Sequence, residues 1–384
     1  MKNSPFIYGS TVSERSFTNR EKEVKKLTDN LLGGINTMII SPRRWGKSSL
    51  VERVTNFIRT QHTDVRIVII DLFSVNSEEE FMEKFAGDVL KASSSKWQEW
   101  IKSSKKLFKN LIPKIQVSVD PLNSFSLSFD WDEIRKHGDE ILNLPEMAAR
   151  QKKIKLIVCL DEFQVIANFP GYEEFERKLR AVWQRHKAVT YCIYGSQRHM
   201  MTEIFNNPSK PFYRFGDIIM LPKIERECWV SFICKSFRET GKIISNEEAG
   251  MIADLMQCHP WYVQQLSHYT WNMTIKSAVK TDIIRSLNEL INANMPLYQK
   301  ETEILSPMQL NLLKAVAHGE KQLTSARVMN DYRLGTPRNV SKNKTILINS
   351  DVIGESGNGY FFLDPAFELW FRKSFLNESF PVAD

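Results

Sequence analysis

The chain has 384 residues, 42% of them hydrophobic and 25% charged, and a formal net charge of +7. Such a mixture supports two or three domains with real cores and excludes an intrinsically disordered chain. Five cysteines (Cys159, Cys192, Cys228, Cys234, Cys258) lie scattered, without metal-ligand spacing, which excludes a disulfide scaffold and suits a reducing compartment. The first ten residues lack the basic-then-apolar pattern of a secretory leader. No stretch approaches the roughly 20 apolar residues of a bilayer span, so the expected location is the cytoplasm.

In chain order, residues 17–27 lead into Gly33 and Gly34 and then into the apolar run 37–40, a buried strand bounded by turn signals. Residues 48–60 have helical spacing. A second apolar strand, 65–73, precedes a helix over 78–91; a third, 155–160, ends in Asp161-Glu162; a fourth, 189–194, ends in Gly195-Ser196. Continuous apolar strands alternating with helices predict a parallel sheet covered on both faces, an α/β fold. Between the second and third strands lies an excursion, 91–135. Its stretch 91–114 carries seven lysines against Glu99 alone, and two alternating stretches after it read as a hairpin. That basic segment is read as an amphipathic helix packed on its own domain, with an acidic partner, nucleic acid or membrane surface as the other readings. From 221 the pattern is helical. After 305–307 three helices (307–317, 324–331, 337–349) and two short strands follow, the order of a winged helix. The expected domains are a core over 1–220 containing the 91–135 insertion, a helical lid over 221–300 and a winged helix over 301–384.

Ser41-Pro42-Arg43-Arg44-Trp45-Gly46-Lys47-Ser48 fits G-x-x-x-x-G-K-[ST] with Ser41 at the first glycine, and it lies between a buried strand and a helix start. A P-loop needs this order. The turn through Arg43, Arg44, Trp45 and Gly46 and the helix start at Lys47, Ser48 and Ser49 offer amides to a phosphate, Lys47 reaches the β/γ-phosphates, and the Ser48 hydroxyl holds Mg²⁺. Ser41 puts loop geometry in question, because a Cβ is unfavourable where positive φ or close packing is needed.

Asp161-Glu162 stands at the carboxyl end of a buried strand, where α/β sheets place ligands. Asp161 is assigned to the magnesium shell and Glu162 to polarising the attacking water; the competing reading is a pair of helix-capping acids. Ser196, or Gln197, is the candidate sensor after the fourth strand, which should lie between the first and third. Capping of the next helix is the alternative for Ser196. Arg214 is the candidate for stabilising transition-state charge, in cis or from a neighbouring subunit, against the reading of a surface arginine.

These residues resemble the prokaryotic archaeal-type AAA ATPases of the STAND class of signal-transduction NTPases. The resemblance rests on PFIYG at 5–9, FTNREKE at 17–23, SPRRWGKSSL at 41–50, LDEFQ at 160–164, YGSQRHMM at 194–201, CHPWYVQQL at 258–266 and LDPAFELWFR at 363–372. It implies an AAA-type core with ATP and Mg²⁺ as cofactors, adenine contacts by Phe6 and Phe17, and a fixing role for Arg20 and Glu23. It also implies nucleotide-facing positions for His259 and Pro260. The usual Gly-His-Pro reads Cys258-His259-Pro260 here, and Asn19 stands where the family has glycine and a left-handed φ is wanted.

Three function classes remain open. An ATP-driven switch would reposition the winged helix. A DNA-binding ATPase resembling replication initiators is supported by Arg333, Arg338, Lys342 and Lys344, with no acid between Asp331 and Asp351. Against it, residues 301–384 hold nine basic and ten acidic side chains. The third class is a nucleotide-bound scaffold that hydrolyses little. The partners implied are ATP or ADP, DNA or a protein through the winged helix, and other copies in an oligomer.

Overall fold

The computed structural model describes residues 3–9, 18–93, 114–117, 125–128, 130–357 and 359–380. Phe17 and most of the basic stretch 91–114 lie outside the described residues. Two compact units make up the chain: Glu21–Arg43 with Leu50–Leu221, and Met1–Arg20 with Arg44–Ser49 and Pro222–Asp384.

The sheet unit runs α1 (Glu21–Leu32), β1 (Thr37–Ile40), α2 (Lys47–Gln61), β2 (Val65–Asp71), α3 (Glu78–Ser93), β3 (Lys114–Val117), β4 (Phe125–Ser128), α4 (Trp131–Lys152), β5 (Lys155–Asp161), α5 (Tyr172–Trp183), β6 (Val189–Gly195), α6 (Arg198–Asn206) and β7 (Asp217–Met220). Five strands pair in parallel in the order β2-β5-β6-β1-β7, so β6 lies between the first and third apolar strands of the sequence. Burial follows position. Every residue of β1 and β6 is buried, whereas β2, at the edge, exposes Arg66, Ile69 and Asp71. Alternate residues of the strands (Met38 and Ile40, Val68 and Ile70, Val158 and Leu160, Tyr191 and Ile193) enter one core with Phe81, Phe85, Phe163 and Trp183, as the two-residue period of a strand requires. Trp183 stacks on Tyr191 at 4.4 Å and on Phe85 at 5.8 Å. Asn36 fixes the entry of β1: its side chain takes the Tyr191 amide at 2.9 Å and its carbonyl takes the Asp217 amide at 2.8 Å. A Cβ at Gly216 would stand 2.0 Å from that carbonyl, so glycine is required there. β3 and β4 form a separate antiparallel pair, with Ile115 opposite Leu127.

The second unit continues with α7 (Arg226–Glu239), α8 (Asn246–Leu255), α9 (Pro260–Met273), α10 (Lys280–Glu303), α11 (Pro307–Ala317), α12 (Ala326–Asp331), α13 (Pro337–Asn349), β8 (Ile353–Ser356), β9 (Gly359–Phe362) and α14 (Pro365–Leu376). Local chemistry starts these helices. Ser245 takes the Glu247 and Glu248 amides, Ser306 and Gln309 form a capping box, Thr336 caps α13 with Pro337 behind it, and Asp364 caps α14 ahead of Pro365. The last six elements form three helices, a hairpin pairing Ile353 with Phe362, and a closing helix. A single apolar cluster joins Trp229, Phe237, Leu266, Tyr298, Phe367 and Phe371. Phe6 enters this cluster too, its ring 5.9 Å from Phe232 and 5.7 Å from Phe237. The N-terminal segment therefore groups with the helical unit rather than with the sheet.

Candidate functional site

At the carboxyl edge of the sheet, Ile40 is in register with Gly195, and Leu160 with Ile193, so β1, β6 and β5 end close to one level. Asp161 and Glu162 follow from β5. The Asp161 Oδ1 takes the Glu162 amide at 2.8 Å, and Glu162 sits in the left-handed region at φ 54. That backbone turn sends the Glu162 side chain back toward β6. Its Oε2 accepts from the Ser196 amide at 3.1 Å, the Ser196 hydroxyl at 2.8 Å and Gln164 Nε2 at 2.5 Å. Ser196 is thus committed to Glu162 rather than to capping; the N-cap of α6 is Gln197, whose side chain makes no capping hydrogen bond. Gln164 lies so close to β6 that a Cβ on Gly195 would stand 1.8 Å from its Oε1. Glycine at 195 is what lets Gln164 and β6 approach. Gln164 and Gly195 were given no role by the sequence reading, although both fall inside stretches that carry the resemblance.

The loop after β1 has the shape an anion site needs. Arg44 and Gly46 have φ of 62° and 87°, and Trp45 between them does not, so the chain alternates handedness. Alternation of this kind turns successive amides toward one concavity, and α2 then opens at Lys47. Ser41 is fully buried and is not among the positive-φ residues; its hydroxyl donates to the Pro42 carbonyl at 3.2 Å. The serine in place of the first glycine is therefore unstrained. Lys47, Ser49 and Trp45 are buried, whereas Arg43 and Arg44 are exposed.

In the helical unit, loop and lid meet through aromatic side chains. The Trp45 ring stands edge-on to His259 at 6.2 Å, and His259 is 5.0 Å from Tyr262. Arg44 lies 4.8 Å over the Trp261 ring, and its Nη1 donates to the Tyr262 hydroxyl at 3.3 Å. His259 is the N-cap of α9 but caps nothing with its side chain, is 4% exposed, and has a buried Nδ1 without a partner among the described residues. Burial, with the charges of Lys223 and Arg44, pushes its pKa down to about 3, so the ring is neutral and able to accept a hydrogen bond. Pro260 supplies the first turn of α9. The residues ahead of His259 explain the family's glycine: Gln257 and Cys258 both have positive φ, 47° and 56°. Asn19 likewise has φ 54.

Arg214 is exposed, at φ 54, with its guanidinium 5.2 Å over Tyr213. The backbone that presents it is gripped from α5. Arg180 donates to the Pro211 carbonyl at 3.0 Å and covers Phe215, while Glu176 takes the Phe212 amide. Phe212 itself is fully buried against Phe163 and Phe205.

A family model described as "Probable winged helix domain" matches residues 296–373. The Walker-type ATPase PABY2304 of Pyrococcus abyssi is similar over 97% of this chain and 99% of its own, at 17% identity and a TM-score of 0.66. The fold is a P-loop ATPase core carrying a C-terminal winged helix. The Aeropyrum pernix ORC2 protein, solved in ADPNP–ADP complexes, shares this ATPase fold over 97% of this chain and 100% of its own, at 13% identity and a TM-score of 0.55. Both likenesses agree with the archaeal-type AAA resemblance of the sequence. No curated protein sequence matches the chain. Among the described residues, no helix of this ATPase fold is long and apolar enough to cross a membrane.

Proposed function

We propose that the chain binds ATP with Mg²⁺ and hydrolyses it to switch the position of its winged helix. The observation that carries this reading is the loop of alternating handedness at Arg44–Gly46, set between a buried strand and a helix that opens with Lys47 and Ser48. Lys47 binds the β/γ-phosphates, and the amides from Arg43 through Ser49 cradle them. The donor set suits the metal, since the Ser48 hydroxyl and Asp161 carboxylate are hard oxygen ligands of the kind Mg²⁺ takes. When bound, Mg²⁺ neutralises charge on the phosphate oxygens. Glu162 polarises the attacking water, and Ser196 ties that carboxylate to the sensor strand. Arg214 offers a charge to the transition state, in cis or from a neighbouring copy. Phe6 and Phe17 contribute to adenine binding, Phe6 through its backbone, since its ring is taken up by Phe232 and Phe237. His259 and Pro260 read the nucleotide from the lid. The ADPNP–ADP complexes of the A. pernix protein support a nucleotide as ligand.

Calorimetry with ATP and ADP on the wild type and Lys47→Ala, with oligomer size measured in each state, tests the reading. Binding by the wild type and its loss in the variant are expected, about a hundredfold or more for the central phosphate ligand. Equal titrations would end the proposal.

A second reading, binding of duplex DNA, is favoured by α13, which buries only Val340 and Leu347 and exposes Arg338 and Lys342. Retardation of labelled duplex that weakens with salt would support it, and no retardation at low salt would remove it. The scaffold reading predicts equal, near-zero phosphate release by the wild type and Glu162→Gln.

A further inference from the structure

The winged helix places a carboxylate in the lid that no step above employs. Asp364 caps α14, its Oδ1 taking the Phe367 amide at 2.8 Å, while its Oδ2 accepts the hydroxyl of Tyr262. Tyr262, on the first turn of α9, is 3% exposed. Its oxygen accepts in turn from Arg44, so a loop arginine, a lid tyrosine and a winged-helix aspartate form one line across sequence separations of 218 and 102 residues. Both links are charge-assisted, one by the guanidinium and one by the carboxylate.

Burial raises the Asp364 carboxyl above its ordinary range, and Tyr262, the Phe367 amide and Arg44 act against that rise. Glu301 on α10 is raised as well, first by burial and then by Asp364, with Arg44 again opposing. Arg44 is thus the cation shared by two carboxyls, Glu301 on α10 and Asp364 at the start of α14. It is also exposed, and it belongs to the loop that offers amides to phosphate. A planar guanidinium suits a phosphate at least as well as a phenol oxygen and an indole face. The same side chain therefore has two competing employments.

We propose that Asp364 is a positioning residue through which the docked winged helix, acting by way of Tyr262, holds Arg44 off the nucleotide phosphates and lowers affinity for the triphosphate. The inference rests on the nucleotide reading above and names the regulation of that site. A triphosphate that recruits Arg44 strips the Tyr262–Asp364 pair of its cation and loosens the seat of α14. By reciprocity, removing the pair tightens the triphosphate.

The test is calorimetry of Mg²⁺ with a non-hydrolysable ATP analogue on the full chain: wild type, Asp364→Asn, Tyr262→Phe, Arg44→Ala, and Asp364→Asn combined with Arg44→Ala. Asparagine caps a helix about as well as aspartate, so the Asp364 variant keeps its fold. Asp364→Asn and Tyr262→Phe should each bind the analogue about five- to tenfold more tightly, and Asp364→Asn should change nothing once Arg44 is alanine. As a second readout, hydrogen exchange in α14 should quicken on adding the analogue to the wild type and not to Arg44→Ala. Unchanged or weaker binding by Asp364→Asn, or the same gain with and without Arg44, overturns the proposal. If the wild type binds the analogue and Lys47→Ala does not, such a result leaves the nucleotide reading standing. If the wild type fails to bind, both fall.

Discussion

The acid pair at the sheet edge and α9 of the lid satisfy their polar groups in different ways. Glu162 collects three donors from Ser196 and Gln164, and Asp161 holds the amide beside it, so the carboxylates are oriented before any ligand arrives. On α9 and its cap, His259 Nδ1, Gln265 Oε1, Ser267 Oγ, His268 Nδ1 and Thr270 Oγ1 are buried without partners among the described residues, against Gln164 Oε1 at the edge. Unpaired buried polar atoms cost free energy that a folded chain usually avoids. The contrast separates a preorganised edge suited to chemistry from a lid helix whose polar groups are left for something else to satisfy.

The largest effect should come from the edge. Glu162→Gln is expected to cut phosphate release about a hundredfold while leaving nucleotide affinity within a few-fold; a parallel loss of affinity would mean that the edge binds rather than catalyses. Ser196→Ala removes one of three donors and should slow release about three- to tenfold. If it equals Glu162→Gln, Ser196 acts directly rather than through the carboxylate.

Acid sharpens the comparison next, because each unit withdraws a histidine from water, His259 buried and His186 half-buried. His186 has partners on both ring nitrogens, Tyr191 and Asn143, and burial lowers its pKa to about 4; His259 is lowered to about 3. Both folded values lie below the ordinary 6.5, so the unfolded chain takes protons that the folded chain refuses. Stability is therefore full above pH 6.5 and falls as pH drops toward 4, each histidine contributing a slope of up to about 1.4 kcal/mol per pH unit. Denaturant unfolding of wild type and His259→Asn at pH 6.5, 5.5 and 4.5 should show a shallower slope in the variant. Identical slopes would deny His259 its buried neutral state.

The smallest effect is backbone relief. Cys258→Gly should stabilise the lid by about 1 kcal/mol, since glycine adopts the observed left-handed conformation without the Cβ clash. Chemical denaturation at neutral pH measures it, and a loss of stability would show that the thiol's packing outweighs the strain.

Much of the fold was legible because its signals are local. Uninterrupted apolar runs such as 37–40 and 155–160 became sheet strands, and the helices expected over 307–317 and 337–349 start behind Ser306 and Thr336, whereas the closing helix after Asp364 was not read. The stretch 41–48 could be read because a loop, a strand end and a helix start adjoin in sequence. What stayed hidden was non-local. Phe6 has a ring whose surroundings, Phe232 and Phe237, lie more than two hundred residues away, so spacing could not reveal that the N-terminal segment packs on the lid. The bond between Glu162 and Ser196 depends on two strands coming side by side, and Asp364 is indistinguishable from an ordinary cap until Tyr262 is seen on its other oxygen.

Helix α13 buries two side chains, Val340 and Leu347, seven residues apart, with Ile348 packed beside them and Asn343 and Lys344 bonded to Met308 and Tyr360. Its exposed residues, such as Arg338 and Lys342, are released from the duty of holding the domain together. Such a face can exchange residues over evolutionary time, or in a combinatorial library, without disturbing the core of its own domain, so variation in this helix is confined to its exposed positions.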